Sequence, residues 1–321
     1  MKRKLKKKVW YFLIAIIFIT ILVFGGIKAY EDYKYKQTNE YKLLEIGYTE
    51  KETKILIDTL DKKYIDKLIT EEKNNDILKF INEKYFILSN LDEYLTYKKE
   101  NNTSYSETVT IINVNSDNDH YTNTKETNTK LNYSMLVNKY YNLNKDYEPD
   151  DLVTIKTDHS WGAYGENKIR KEVYNAFIDM WNNAKASNIY LMINSSYRPY
   201  SDQERVYNNY KDSLGETGAD KIAARPGFSE HQTGLALDIF CTTNSSTKTF
   251  AESDAYRWLL DNAHNYGFIL RYPEGKEHIT GYAFESWHYR YVGKDLATKI
   301  YNENITFDEY YAYYIEKQKD L

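Results

Sequence analysis

Nineteen consecutive residues without a charge, Val9 to Ile27 (VWYFLIAIIFITILVFGGI), follow an opening octapeptide, MKRKLKKK, that carries six Lys or Arg. Coiled as a helix at about 1.5 Å per residue, such a run reaches about 28 Å. That is close to the hydrocarbon thickness of a bilayer, about 30 Å. The basic flank predicts that residues 1–8 stay in the cytoplasm. A cleaved signal peptide would have a shorter apolar region followed by a small-x-small site, and Phe24-Gly25-Gly26-Ile27-Lys28 is a poor one. The expectation is a single-pass signal anchor over 9–27 in the cell membrane, with everything after it extracellular.

The whole chain carries a formal charge of −4, so with those six cations set aside the remainder stands near −10. A net acidic exterior argues against nucleic acid as a partner. One cysteine, Cys241, excludes an intramolecular disulfide and is expected to be a small buried residue.

Composition then divides the external part. Neither Gly nor Pro occurs from Tyr48 to Glu148, whereas all four prolines lie beyond. Residues 28–149 are expected to form a mainly helical stalk or packing module. A capping box, Thr49 to Glu52, opens a helix with Ile55, Leu56, Leu60, Tyr64, Ile65 and Leu68 near a 3.6-residue period. NNDILKFINEKY predicts a second helix. The β-branched stretch TVTIINV (108–114) predicts a strand, and the polar NSDNDHYTNTKETNTKLN (115–132) a loop.

From about 150 the pattern becomes α+β. Ile169, Val173, Phe177 and Met180 share one face of an expected helix. IYLMIN, GLALDIF, FILRY and WHYRYVG predict strands. SDQERVYNNYKDSL predicts a helix opened by a second capping box, Ser201 to Glu204, and SDAYRWLLDNAHNYG one ending at Gly267. Without a βαβ rhythm, the expected architecture is an antiparallel sheet with packed helices over 150–300. A C-terminal helix over 301–321 should pack its tyrosines (FDEYYAYYIEK) on that domain.

Within it, SEHQTGLALDIF (229–240) carries His231 and Asp238 into an otherwise apolar run. A buried carboxylate is costly unless compensated. Some fifty residues on, FESWHYRYVG supplies Glu285 and His288. Two imidazoles and a carboxylate can fill three positions of a tetrahedral zinc site, leaving the fourth open. A nearby unligated carboxylate can then take a proton from water. Strand alternation puts Ala236 and Asp238 on one face and Leu235, Leu237 and Ile239 on the other. Likewise His288 and Arg290 oppose Trp287, Tyr289 and Tyr291. Glu285 reaches the site only if a bend precedes the last strand. Spacing alone fits a metal centre and an ordinary polar core equally well. No metal role is expected for His120, His159, His264 or His278. The serine-peptidase motifs present, Ser245 to Lys248 and Ser116 to Asn118, come in the wrong order and lack a following K-T-G, so both are taken as chance.

SSYRPYSDQ (195–203), RPGFSEHQTGLALDI (225–239) and ESWHYRYVG (285–293) closely resemble the VanY-type zinc D-alanyl-D-alanine carboxypeptidases, which trim peptidoglycan stem peptides. The resemblance spans about 150 to 300, with weaker likeness in VNKYYNLNKDYEPDDLV (137–153). It implies a hedgehog/DD-peptidase-like fold and one zinc ion held by His231, Asp238 and His288. It implies Glu285 as general base and Arg198 on the oxyanion or the substrate carboxylate. Tyr197, Gln203, Ser229 and Trp287 would line the substrate side. Ser286 departs from the family pattern, in which Pro usually stands between Glu and Trp. The same pattern also serves L,D-carboxypeptidases and some endopeptidases, and a catalytically silent wall-binding module is the alternative of a different class.

Overall fold

The computed structural model describes residues 2–161, 167–242 and 250–316. Its contacts divide the chain into two compact units, 1–106 and 107–321.

The first unit begins with α1 (Lys2–Lys36), a helix whose side chains from Lys8 onward are exposed. Its apolar portion is long enough to cross a membrane. There follow α2 (Asn39–Glu45), α3 (Glu50–Thr59), α4 (Lys62–Leu68), α5 (Asn75–Ile81) and α6 (Leu91–Glu100). The Thr49 capping box is present, Glu52 accepting the Thr49 amide at 2.8 Å. The helix expected to continue through Leu68 instead breaks at Leu60. Asp61 there accepts the Tyr64 amide at 2.8 Å, so its short side chain begins a new helix. Leu43, Leu56, Phe80, Leu91 and Tyr94 are fully buried in this unit.

The stretch expected as a strand, 108–114, is helical: α7 (Tyr105–Asn113). Thr108, Val109, Ile111, Ile112 and Asn113 are all buried, on more than one face. A short apolar run buried all round carries no period, and tertiary packing overrides its β-branched preference.

In the second unit β1 (Lys125–Glu126) pairs with β2 (Tyr141–Asn142), and β3 (Leu152–Thr154) with β4 (Lys168–Arg170). The main sheet is antiparallel, in the order β5 (Leu191–Ser195), β6 (Ala236–Cys241), β8 (His288–Tyr291), β7 (Phe268–Leu270). Its helices are α8 (Lys171–Ala186), α9 (Tyr200–Ile222), α10 (Asp254–Asn262), α11 (Glu277–Thr280), α12 (Lys294–Glu303) and α13 (Phe307–Tyr310). Val173, Phe177 and Met180 of α8 bury their stripe against Leu191, Ile193, Leu237, Ile239 and Tyr289 of the sheet. Burial of this size, about 1.5–3 kcal/mol per large apolar side chain, holds the sheet that carries the site. Cys241 is 5% exposed.

Three local expectations change. Ile169 is buried but belongs to β4, because the chain pairs with β3 before α8 starts. The α9 helix starts one residue earlier than its supposed cap. The Pro199 carbonyl takes the Asp202 and Gln203 amides, leaving Ser201 inside the first turn without a capping role. The C-terminal helix is interrupted at Asn304, whose left-handed backbone (φ +52°) ends α12. A capping box from Thr306 to Glu309 then starts α13, and helical turns continue to Glu316 with Phe307, Tyr311 and Tyr313 buried. Ser245 to Lys248 lie outside the described residues.

Candidate metal centre

The β6–β8 register pairs Asp238 directly with His288. Both strands bury their opposite face in the core, so these two side chains share the other face. His231 arrives from a short helical turn, Glu230–Thr233, ended by Gly234 in the left-handed region (φ +65°). That conformation reverses the chain into β6 and is natural to glycine. A Cβ there would also meet Arg170 Cγ at 2.9 Å and Leu152 Cδ2 at 3.2 Å.

His231, Asp238 and His288 each offer a ligand atom, and the three atoms lie within 4.8 Å of one another. Asp238 Oδ1 is 3.5 Å from His231 Nε2 and 3.2 Å from His288 Nδ1. The His231 Nδ1 lies 2.6 Å from the Ser196 carbonyl, which fixes it as the N–H donor and leaves the Nε2 lone pair facing Asp238. Asp238 Oδ1 is buried and has no hydrogen-bond partner. An orphaned carboxylate oxygen between two imidazole nitrogens is a donor set that fits a zinc ion.

The electrostatics agree. Burial lowers the His231 pKa, which favours the neutral, ligating form, while Asp238 pulls the other way. Burial opposes ionisation of Asp238, yet the two imidazoles outweigh it and hold the carboxyl well below its usual range. For His288 burial is likewise overcome, by Asp238 and then by Glu230 and Glu285, and its pKa rises to about 9. Carboxylates that drive an imidazole to stay charged are a pocket in want of a cation.

Glu285 reaches this pocket through the bend on which its role depends. The His288 amide donates to the Glu285 carbonyl at 3.3 Å, closing a turn over Glu285–His288, and the Glu285 amide donates to the Tyr272 carbonyl. The carboxylate thereby comes to 3.6 Å from His288 Nδ1. Burial pushes its pKa up to about 7, the range of a working general base. Ser286 occupies the second position of this turn and is 1% exposed.

Arg198 faces the same cavity, of about 230 Å³. Its guanidinium donates to Gln203 Oε1 and Ser195 Oγ, each at 2.9 Å. Gln203 in turn donates to the Ala224 carbonyl at 2.7 Å, so it braces the arginine. Ser229 and Trp287 also line the cavity, with Glu285 and the three metal-ligand candidates. Tyr197 is not among its lining residues; its amide donates to the Lys168 carbonyl at the edge of β4.

Sequence pattern alone gives no role to one further group here. Glu230 precedes His231 and is 2% exposed, and its Oε2 lies 3.6 Å from His288 Nε2. The signal was available: a second carboxylate in the same buried run, with Arg271 just beyond β7 and Arg290 in β8.

A family model described as VanY, D-alanyl-D-alanine carboxypeptidase, matches residues 166–294. YodJ of Bacillus subtilis is 42% identical over 183 residues, which are 56% of this chain and 67% of that protein. The D-alanyl-D-alanine carboxypeptidase of Enterococcus faecalis is 38% identical, over 41% of this chain and about half (51%) of the relative. VanXYC of Enterococcus gallinarum, named a bifunctional D-Ala-D-Ala dipeptidase and carboxypeptidase, is 32% identical over 57% of this chain and 95% of its own length. Among solved structures, that of the LdcB LD-carboxypeptidase superposes with a TM-score of 0.56 at 38% identity, covering 60% of this chain and 91% of that one.

Proposed function

The chain belongs to the VanY family of D-alanyl-D-alanine carboxypeptidases, and from that premise we propose that it is a zinc hydrolase that removes the C-terminal D-alanine from peptidoglycan stem peptides. The observation that carries this reading is the orphaned Asp238 Oδ1 between two imidazole nitrogens, with the Glu285 carboxylate overhanging them. His231, Asp238 and His288 would hold one zinc ion. When bound, zinc supplies Lewis-acid polarisation and brings the pKa of a water ligand towards about 7.

Glu285 accepts the proton of the attacking water at its carboxylate and returns it to the leaving amine nitrogen. Arg198, braced by Gln203 and Ser195, presents a planar cation to the substrate's terminal carboxylate or to the oxygen on which charge develops. Ser229 and Trp287 form the substrate side. The apolar part of α1 anchors the protein in the cell membrane as a single span, with the hydrolase outside, where peptidoglycan lies. The helical residues 28–106 serve as stalk or packing module, whereas 107–149 belong to the hydrolase unit.

A second reading keeps the chemistry and changes the bond. The likeness to an LD-carboxypeptidase at 38% identity favours cleavage after an L-centre, releasing D-alanine from tetrapeptides. The test is mass spectrometry of muropeptides ending in D-Ala-D-Ala or in a single D-Ala, with and without chelator, alongside Glu285→Ala. Chelator-sensitive loss of one alanine from the pentapeptide, absent in the mutant, is the expected result. Trimming of the tetrapeptide alone would replace the D,D assignment by the L,D one. Release from neither, with zinc bound, would point to an endopeptidase or a wall-binding module.

A further inference from the structure

Two buried polar atoms at the back of the site lack partners, and they face each other. Glu230 Oε2 and His288 Nε2 have no hydrogen bond within the usual limit, yet they stand 3.6 Å apart. A metal-ligating histidine generally donates its other ring N–H to a carboxylate or carbonyl, which fixes its tautomer and aims its lone pair. With His288 Nδ1 directed at Asp238, its Nε2–H has Glu230 as the facing acceptor.

Glu230 is itself held from behind. Its other oxygen, Oε1, accepts Arg271 Nε at 2.8 Å and Arg290 Nη1 at 2.7 Å, and both arginines are fully buried. Desolvating two guanidiniums is costly unless hydrogen bonds compensate it. Here every donor direction named has a partner. Arg290 Nη2 donates to the Tyr133 and Met135 carbonyls, at 3.1 and 2.7 Å. Arg271 forks onto Asp308 of α13, at 2.5 and 3.2 Å. Asn138 donates to the same Asp308 carboxylate at 2.8 Å. Tyr133, Met135, Asn138 and Asp308 all lie outside the 166–294 stretch that matches the family.

We propose that Glu230 is a positioning residue for His288, and that Asp308, acting through Arg271, fixes Glu230 in place. The C-terminal segment around α13 is then part of the metal centre's support. This inference rests on His231, Asp238 and His288 binding zinc. That reading fails separately, if the wild-type chain takes up no stoichiometric zinc.

The test uses the full chain in detergent, with zinc affinity measured by chelator competition. Glu230→Asp keeps the charge the arginines need but withdraws the carboxylate from His288. Asp308→Asn keeps shape and removes charge from the far end of the relay. Both are expected to weaken zinc binding about 10–100-fold, and to change the visible spectrum of the Co(II)-substituted protein. Wild-type affinity and an unchanged Co(II) spectrum in both variants, whatever their melting temperatures, would overturn the proposal. A measurement on the wild type covers failure of either variant to fold. Histidine-selective ¹⁵N labelling of the zinc-loaded chain should show His288 with its proton on Nε2, in a slowly exchanging low-field resonance. A proton on Nδ1, or an Nε2–H exchanging freely with water, would equally overturn it.

Discussion

Asp238 and His288 stand opposite one another on β6 and β8, with Asp238 Oδ1 3.2 Å from His288 Nδ1. Strand register therefore sets two of the three ligand candidates, and His231 is added by the turn that leads into β6. A one-residue slip of β8 would send His288 into the core and Tyr289 into the site.

Removing the shared oxygen should empty the centre. Asp238→Ala leaves two imidazoles, too few for a zinc site of three protein ligands. Metal analysis of the purified variant should fall from about one zinc per chain to near none, with activity lost in parallel. Retention of stoichiometric zinc would remove Asp238 from the ligand set.

Glu285→Gln should separate chemistry from metal binding. The amide keeps the turn and the shape but cannot accept a proton. Peptide release should fall by about 10²–10⁴-fold while zinc content stays at the wild-type level.

The same carboxyl sets the acidic limb of activity. A general base works only when ionised, and burial pushes Glu285 up to about 7 in the absence of a cation. A bound dication draws that value down. The pH profile of kcat/KM should therefore rise with pH through a limb at or below about 7.

Lys139 offers a test outside the metal-ligand set. It is 2% exposed, its ammonium donates to the Asp220 carbonyl at 2.8 Å and lies over the Tyr282 ring, and burial lowers its pKa to about 8. The unfolded chain binds this proton up to about pH 10.4, so between about 8 and 10 the unfolded state holds more protons than the native one. Stability should rise with pH across that window, by at most about 1.4 kcal/mol per unit from this group. Chemical denaturation of Lys139→Met should show the rise abolished.

Ser286→Pro should stabilise. Ser286 is the second residue of the Glu285–His288 turn, where proline's fixed φ is favoured, and its buried hydroxyl has no partner. A gain of about 0.4–1 kcal/mol in unfolding free energy, with activity retained, is the expected outcome. Loss of stability would mean the turn needs the Ser286 N–H.

Local signals were read correctly where one residue type admits one physical use. The Thr49 capping box, the αL Gly267 that ends the helical turn after α10 and the period-2 faces of GLALDIF and of His288–Tyr291 stand as the sequence predicts, whereas Trp287 lines the cavity beside His288 instead of opposing it. The misread elements share a cause. TVTIINV, the second half of the Thr49 helix and the start of α9 were decided by which neighbour supplied burial or a hydrogen bond. Neither Asp61's competing cap nor the Pro199 carbonyl has a sequence period. Glu230 is illegible in the sequence for the same reason, because its meaning depends on two arginines 41 and 60 residues away.

By itself, then, the sequence determined the chemistry on offer: an apolar run of bilayer length, two imidazoles, one carboxylate that had to be buried, and a second within a turn of His288. Residue type and local period carry that much, since they fix what each side chain can donate, accept or bury. Only the tertiary structure decided that Asp238 and His288 face each other, that the Glu285 turn closes over them, and that Asp308 meets Arg271. Those are contacts between segments far apart in the chain, and their geometry comes from strand register and from compensating buried charge, which no local pattern encodes.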